Sequence, residues 1–151
     1  MKNGDVIMMT VVVALLLILI ILKQVRYIKE LRLPTRKGAG EIITVIIGMG
    51  ILILITYKYA NAMSHYFIGI LGIILLLTSW LKEGITSKGF ISNYKYKEVI
   101  LWNEIEKINI VNKKKYFKIT LSGGFMQQSF KFKSEDFDKV KEILNDNGVI
   151  C

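Results

Sequence analysis

Reactive side chains are scarce in this chain of 151 residues, which has one cysteine, one histidine and one proline. Cys151 stands alone, so no internal disulfide and no CxxC metal site can form. With His65 as the only histidine, a protein zinc site or a histidine-based triad lacks parts. Acidic residues are also few, 12 against 21 lysines and arginines, leaving a formal net charge of +9. A further absence is positional. Val6–Leu22, Ile42–Tyr57 and Tyr66–Leu81 contain no Asp, Glu, Lys or Arg. Ion and proton pathways through membranes normally use an intramembrane ionisable group, so these runs argue against a channel or transporter.

What is present is apolar bulk in blocks. Hydrophobic residues make up 52% of the chain. Val6–Leu22 as a helix at about 1.5 Å per residue reaches roughly 25 Å, within the usable range for a hydrocarbon layer about 30 Å thick. The three runs predict transmembrane helices over about residues 6–22, 42–59 and 65–81, in a membrane anchor spanning residues 1–82. Tyr57, Tyr59, Tyr66 and Trp80 sit at run ends, where amphipathic rings suit the headgroup layer. No small-residue cleavage pattern follows the first run, which ends instead at Lys23-Gln24-Val25-Arg26, so it reads as a retained anchor. Gly48, Gly50, Gly69 and Gly72 are candidates for close packing of the second and third helices.

Charge in the loops sets the expected topology. Lys23, Arg26, Lys29, Arg32, Arg36 and Lys37 lie between the first two runs, whereas Lys58 alone lies between the second and third. The positive-inside rule then places the first loop and the C-terminal half in the cytoplasm, with the N-terminus outside a cell membrane crossed three times. Within the first loop, Tyr27–Leu33 reads either as an amphipathic turn of helix on the leaflet or as the first helix running on until near Pro34.

Beyond Leu81 the blocks give way to alternation. Ile85–Ser92 alternates with a turn or kink at Lys88-Gly89, Val99–Trp102 is short and apolar, and Ile105, Ile108 and Ile110 follow. Asn112-Lys113-Lys114 reads as a turn, Tyr116–Leu121 as a strand, Ser122-Gly123-Gly124 as a hairpin and Phe125–Lys133 as the return strand. A helix is expected over residues 134–147, capped by Ser134, carrying Glu135, Asp136 and Asp138 early, striped by Phe137, Val140, Ile143 and Leu144, and stopped at Asn147-Gly148. The fold class is therefore membrane α plus β: three transmembrane helices, then an antiparallel sheet domain over residues 83–151 with a C-terminal helix.

Gly84-Ile85-Thr86-Ser87-Lys88-Gly89-Phe90-Ile91, followed by Ile100-Leu101-Trp102-Asn103-Glu104-Ile105, resembles small bacterial multi-span membrane proteins with a pleckstrin-homology-like (PH-like) cytoplasmic domain. That resemblance implies the fold, with Gly89 at a backbone turn and Trp102 and Ile105 in packing. It implies no assigned activity. At most five strands are visible, against seven in a full domain of this kind, so the expectation is a reduced form.

The candidate contacts are basic. Lys113, Lys114 and Lys115, with Lys131 and Lys133 on the neighbouring strand, could meet anionic headgroups or a protein partner; the plainer alternative is a solvated hairpin. Trp102 reads as core rather than ligand platform, Glu104 and Glu106 as a solvated strand edge rather than an acid–base pair, and His65 as a polar residue of the outer loop. No catalytic, cofactor-binding or metal-binding residues are assigned, and neither nucleic acid nor a small-molecule substrate is expected. The expected partners are the bilayer, a membrane protein or a second copy. Function narrows to a non-enzymatic protein presenting a PH-like interaction module at the inner face of the membrane. The alternative is an immunity-type protector or transport accessory whose spans carry the function.

Overall fold

The computed structural model describes residues 3–93, 97–124 and 127–148. The chain divides into two units: residues 1–28 with 38–81, and residues 29–37 with 82–151.

The first unit is helical. Helix α1 spans Asn3–Glu30, α2 spans Ala39–Tyr59 and α3 spans Met63–Leu81. All three are long and apolar enough to cross a membrane. They present large side chains outward, Leu54 at 68% and Ile7 at 64% exposure among them, an arrangement that suits lipid as solvent. Glu41 in the first turn of α2 and Lys58 in its last complement the helix dipole. The α2–α3 hairpin closes most tightly at Gly69, where a Cβ would collide with the Thr56 side chain. Of the other candidate glycines, Gly48 lies beneath Leu76, whereas Gly50 faces open space and takes no part in packing. Helix α1 is held to α3 by a polar clasp that the flanking-residue reading of Gln24 did not anticipate. The Thr78 hydroxyl donates to Gln24 Oε1 at 2.5 Å, and Gln24 Nε2 donates to Ser79 Oγ at 2.7 Å. Interhelical bonds of this kind contribute roughly 0.6–2 kcal/mol each.

The second unit is a β-domain with more strands than the sequence revealed. Strand β1 is Leu31–Pro34, β2 Gly84–Thr86, β3 Gly89–Ile91 and β4 Val99–Leu101; these form one antiparallel sheet in chain order. Strands β5 (Ile105–Lys113), β6 (Tyr116–Gly123) and β7 (Gln128–Lys133) form the second. Among the described residues, seven strands stand where at most five were expected. The largest correction lies at Tyr27–Leu33: α1 does run on, but it stops at Glu30, and Leu31–Pro34 pairs with β2 through Leu33↔Ile85 and Pro34↔Gly84. Pro34 disfavours helix at Leu33 and, lacking an N–H, is tolerated on an edge strand. Leu33 is buried in the core. Thr35 continues the docking, its N–H donating to Glu83 O at 3.1 Å and its hydroxyl to Glu83 Oε2 at 3.1 Å.

Between β2 and β3 the turn falls where Lys88-Gly89 suggested. Gly89 has φ of +148°, and a Cβ there would strike the Ile100 carbonyl of β4. The β5–β6 turn is Lys114-Lys115, one residue later than expected, because Lys113 pairs with Tyr116. Phe125 and Met126 of the expected return strand lie outside the described residues.

Ile85, Phe90, Ile100, Phe117, Ile119 and Phe132 are fully buried between the sheets. Phe90 touches Trp102 edge-on at 5.3 Å and Phe130 at 5.1 Å, while Phe117 meets Phe132 at 5.6 Å. Trp102 thus packs against the core, its Nε1 donating to Ser87 O at 2.9 Å.

The C-terminal helix departs from expectation at its start. Ser134 opens a 3-10 turn, Ser134–Asp136, without capping by its side chain, and helix α4 covers Phe137–Asp146. Its stripe holds, with Val140 and Leu144 buried and Phe137 edge-on to Phe117 at 5.2 Å. Gly148, at φ of +70°, ends it and donates to Asn145 O at 3.0 Å.

If β1 completes the core, Leu33→Ala should lower the unfolding free energy of the full-length protein by about 2–4 kcal/mol, whereas Arg32→Ala, exposed on the same strand, should change it by less than about 0.5 kcal/mol. Denaturant titration in micelles in a Trp80→Phe background, followed by Trp102 fluorescence, measures both; equal effects would count against the strand's role.

Candidate functional site

The outer face of the second sheet carries the most concentrated charge. On β6, side chains alternate across the sheet, so Phe117, Ile119 and Leu121 enter the core while Tyr116 and Lys118 face outward. Register places Lys113 opposite Tyr116 on one side and Lys133 opposite it on the other, with Lys131 opposite Lys118. These residues share one face.

Arg36 joins them from the segment after β1. Its backbone N–H donates to Lys131 O at 2.7 Å, and its Nη1 donates to Lys115 O at 2.5 Å. Its guanidinium carbon lies 5.5 Å from the centre of the Tyr116 ring. Lys113 Nζ and Lys131 Nζ approach the same ring at 5.8 and 5.9 Å. Three cations therefore surround one aromatic ring, an attraction of about 0.5–1 kcal/mol each at an exposed site.

No carboxylate among the described residues pairs with them. Among the described residues, the ion pairs join Lys37 to Glu83 at 3.4 Å, Lys82 to Glu98 at 2.6 Å, Lys88 to Glu30 at 3.9 Å, and Lys97 to Glu104. Arg36 and the five candidate lysines, Lys113, Lys114, Lys115, Lys131 and Lys133, take part in none of them. Lys114 and Lys115 are exposed at the turn. The structure thus brings the candidate lysines to one end of one sheet and adds an arginine assigned on sequence only to topology. Its paired spacing to Tyr116 crosses 80 positions of chain, so no local motif marks it.

The topology-setting residues divide. Lys23, Arg26, Lys29 and Arg32 are exposed, with Lys23 Nζ 5.5 Å from the Tyr27 ring; Arg36 and Lys37 are tied into the β-domain. His65 belongs to the first turn of α3, where its Nδ1 accepts from Asn61 N–H at 3.3 Å. Glu104 is not on a strand edge. It ends a 3-10 turn, Trp102–Glu104, and its Oε2 accepts the Leu101 N–H at 3.0 Å. The hydrogen bond from Lys97, then that from Leu101, holds its carboxyl below the usual carboxylate range. Glu106 is exposed on β5.

Residues 26–147 match the bacterial PH domain family, a span that includes β1, the inserted α2–α3 hairpin and the whole β-domain up to Asn147. The chain belongs to that family. Comparisons with curated proteins and with solved structures find no match.

The lowered Glu104 titration gives a signed expectation. A depressed folded-state value stabilises above the unfolded carboxyl value of 4.5 and loses that contribution as pH falls through the folded value. Wild type should therefore exceed Glu104→Gln in stability above pH 4.5, and the two should converge in stronger acid. Parallel stability curves across that window would contradict the assignment.

Proposed function

We propose that this is a non-enzymatic membrane protein whose PH-like domain works as an interaction module at the cytoplasmic face, its basic cluster held against the anionic leaflet. The observation that carries this reading is the collection of Arg36, Lys113 and Lys131 around Tyr116, with no neutralising carboxylate among the described residues. A basic residue near such a surface gains about 1 kcal/mol, and the gain fades within a Debye length. The spans keep the domain at the bilayer, so even a weak contact is made at high effective concentration.

Topology has two independent supports. Loop charge favours a cytoplasmic first loop. The pairing of β1 with β2 supports placing that loop and the C-terminal domain on one side, since a folded sheet cannot straddle a bilayer. With Cys151 replaced by Ser, Asn61→Cys should react with a membrane-impermeant maleimide on intact cells, and Lys114→Cys only after permeabilisation. The opposite pattern would overturn the orientation.

Lysine footprinting tests the lipid contact. In nanodiscs of about 30% anionic lipid, Lys113, Lys114, Lys131 and Lys133 should acylate severalfold more slowly than in zwitterionic discs, with the difference shrinking near 1 M salt. Lys139 and Lys141 on α4 serve as internal references. Identical rates in both discs would shift the cluster's role to a protein partner or to none.

A further inference from the structure

A second site lies in the helical unit, far in kind from the lysines. A cavity of about 360 Å³ opens among α1, α2 and α3. Its apolar wall includes Leu17, Leu52 and Gly72; its polar lining is Thr56, Tyr59 and His65. The two kinds are segregated along the helices. Tyr59 ends α2 and His65 lies in the first turn of α3, whereas Leu52 lies seven residues deeper, about 10 Å along a helix. That depth is roughly a third of a hydrocarbon core about 30 Å thick.

Two donors in this cavity have no partner among the described residues. Because His65 Nδ1 accepts the Asn61 N–H, the proton of the neutral ring sits on Nε2, which makes no hydrogen bond. Thr44 donates back to the carbonyl of Gly40 at 2.9 Å, as helical threonines commonly do. Thr56 makes no such bond, though it lines the cavity. A hydroxyl without a partner in an apolar medium costs several kcal/mol by transfer scales, so an acceptor there is strongly favoured. Lys58, 5.7 Å from the Tyr59 ring, adds positive charge at the same end.

We infer that this cavity binds one glycerophospholipid from the leaflet at the α2–α3 turn. Its ester and phosphate oxygens accept from Thr56 and His65 beside Lys58, and the upper part of one acyl chain lies against Leu17, Leu52 and Gly72. The match is one of polarity with depth: donors and a cation where headgroup oxygens lie, hydrocarbon below. The site is independent of the basic cluster on the β-domain.

Native mass spectrometry of the full-length protein, extracted from membranes in mild detergent, reads the bound lipid directly. Wild type should retain one phospholipid per chain. The near-isosteric double variant His65→Phe with Thr56→Val should reduce the retained fraction at least fivefold, and Gly72→Leu, which fills the cavity, should abolish it. Ile73→Phe, in the groove on the other side of the α2–α3 contact, should leave it unchanged. Should Gly72→Leu fail to fold, the volume-conserving double variant still decides. No retained phospholipid in wild type, equal retention in all variants, or detergent as the sole occupant (an adventitious additive only) would overturn the assignment.

Discussion

The docking of residues 31–36 into the β-domain is the contact on which the other features depend. Four residues between the first two helices become the edge strand of one sheet, and Arg36 beyond them reaches the second: Leu33 enters the core, Thr35 binds Glu83 beside β2, and Arg36 donates its N–H to β7. Without that segment Ile85 and its neighbours would lose a covering strand, and the cation ring around Tyr116 would lose its arginine. The strand closes a loop of about 50 residues, whose entropy grows only logarithmically with length. The clasp of Gln24 with Thr78 and Ser79 shortens that loop further, because it already brings the last turns of α1 and α3 together. Helix packing thus prepays much of the closure that β1 requires.

Two kinds of lysine result. Lys82 is almost buried and reaches Glu98 at 2.6 Å, a geometry in which removing either partner would strand a charge. Among the described residues, Lys113, Lys114, Lys115, Lys131 and Lys133 have no such partner, and all five are exposed. Like charges gathered on one face repel one another, and cation–π contacts with a single tyrosine offset only part of this. Such a face gains most from an external anion. The carboxylates of Glu30, Glu83, Glu98 and Glu104 pair with other cations, and among the described residues the far end of the second sheet is left uncompensated.

Legibility tracked locality. The three apolar runs, the pairing of β6 with β7 and the Phe137–Leu144 stripe each carry their pattern within a few residues and were readable, whereas Ser122 and Gly123, expected in the turn, still belong to β6. Strand β1 was not read because four residues amid charges give too little pattern, and its partner lies 50 positions away. A trace was present: Leu31 and Leu33 flank Arg32 with strand periodicity, and Pro34 biases Leu33 toward extended backbone. The same distance hid Arg36. Its charge was visible and read as a topology signal, but its place over Tyr116 is a tertiary fact. Ser134 shows the converse failure, where a good local cap was overridden by a 3-10 turn that lets Phe137 begin the helix against Phe117.

Connectivity adds a mechanical consequence. Leu31 follows Glu30 with no intervening linker, and only Lys82 and Glu83 separate α3 from β2. Within the helical unit, sliding of α1 along α3 is opposed by the clasp of Gln24 with Thr78 and Ser79; within the β-domain, slippage of β1 is opposed by the β1–β2 register. The clasp is two short bonds at a site only 6% exposed, and it breaks only by leaving amide and hydroxyl groups without partners. The register between Leu31 and Leu33 already carries an irregularity, and a one-residue slip would turn Leu33 out of the core. Each change is costly within its own unit: the clasp holds α1 against α3, and the register keeps Leu33 in the core and Arg36, two residues past β1, in place over Tyr116.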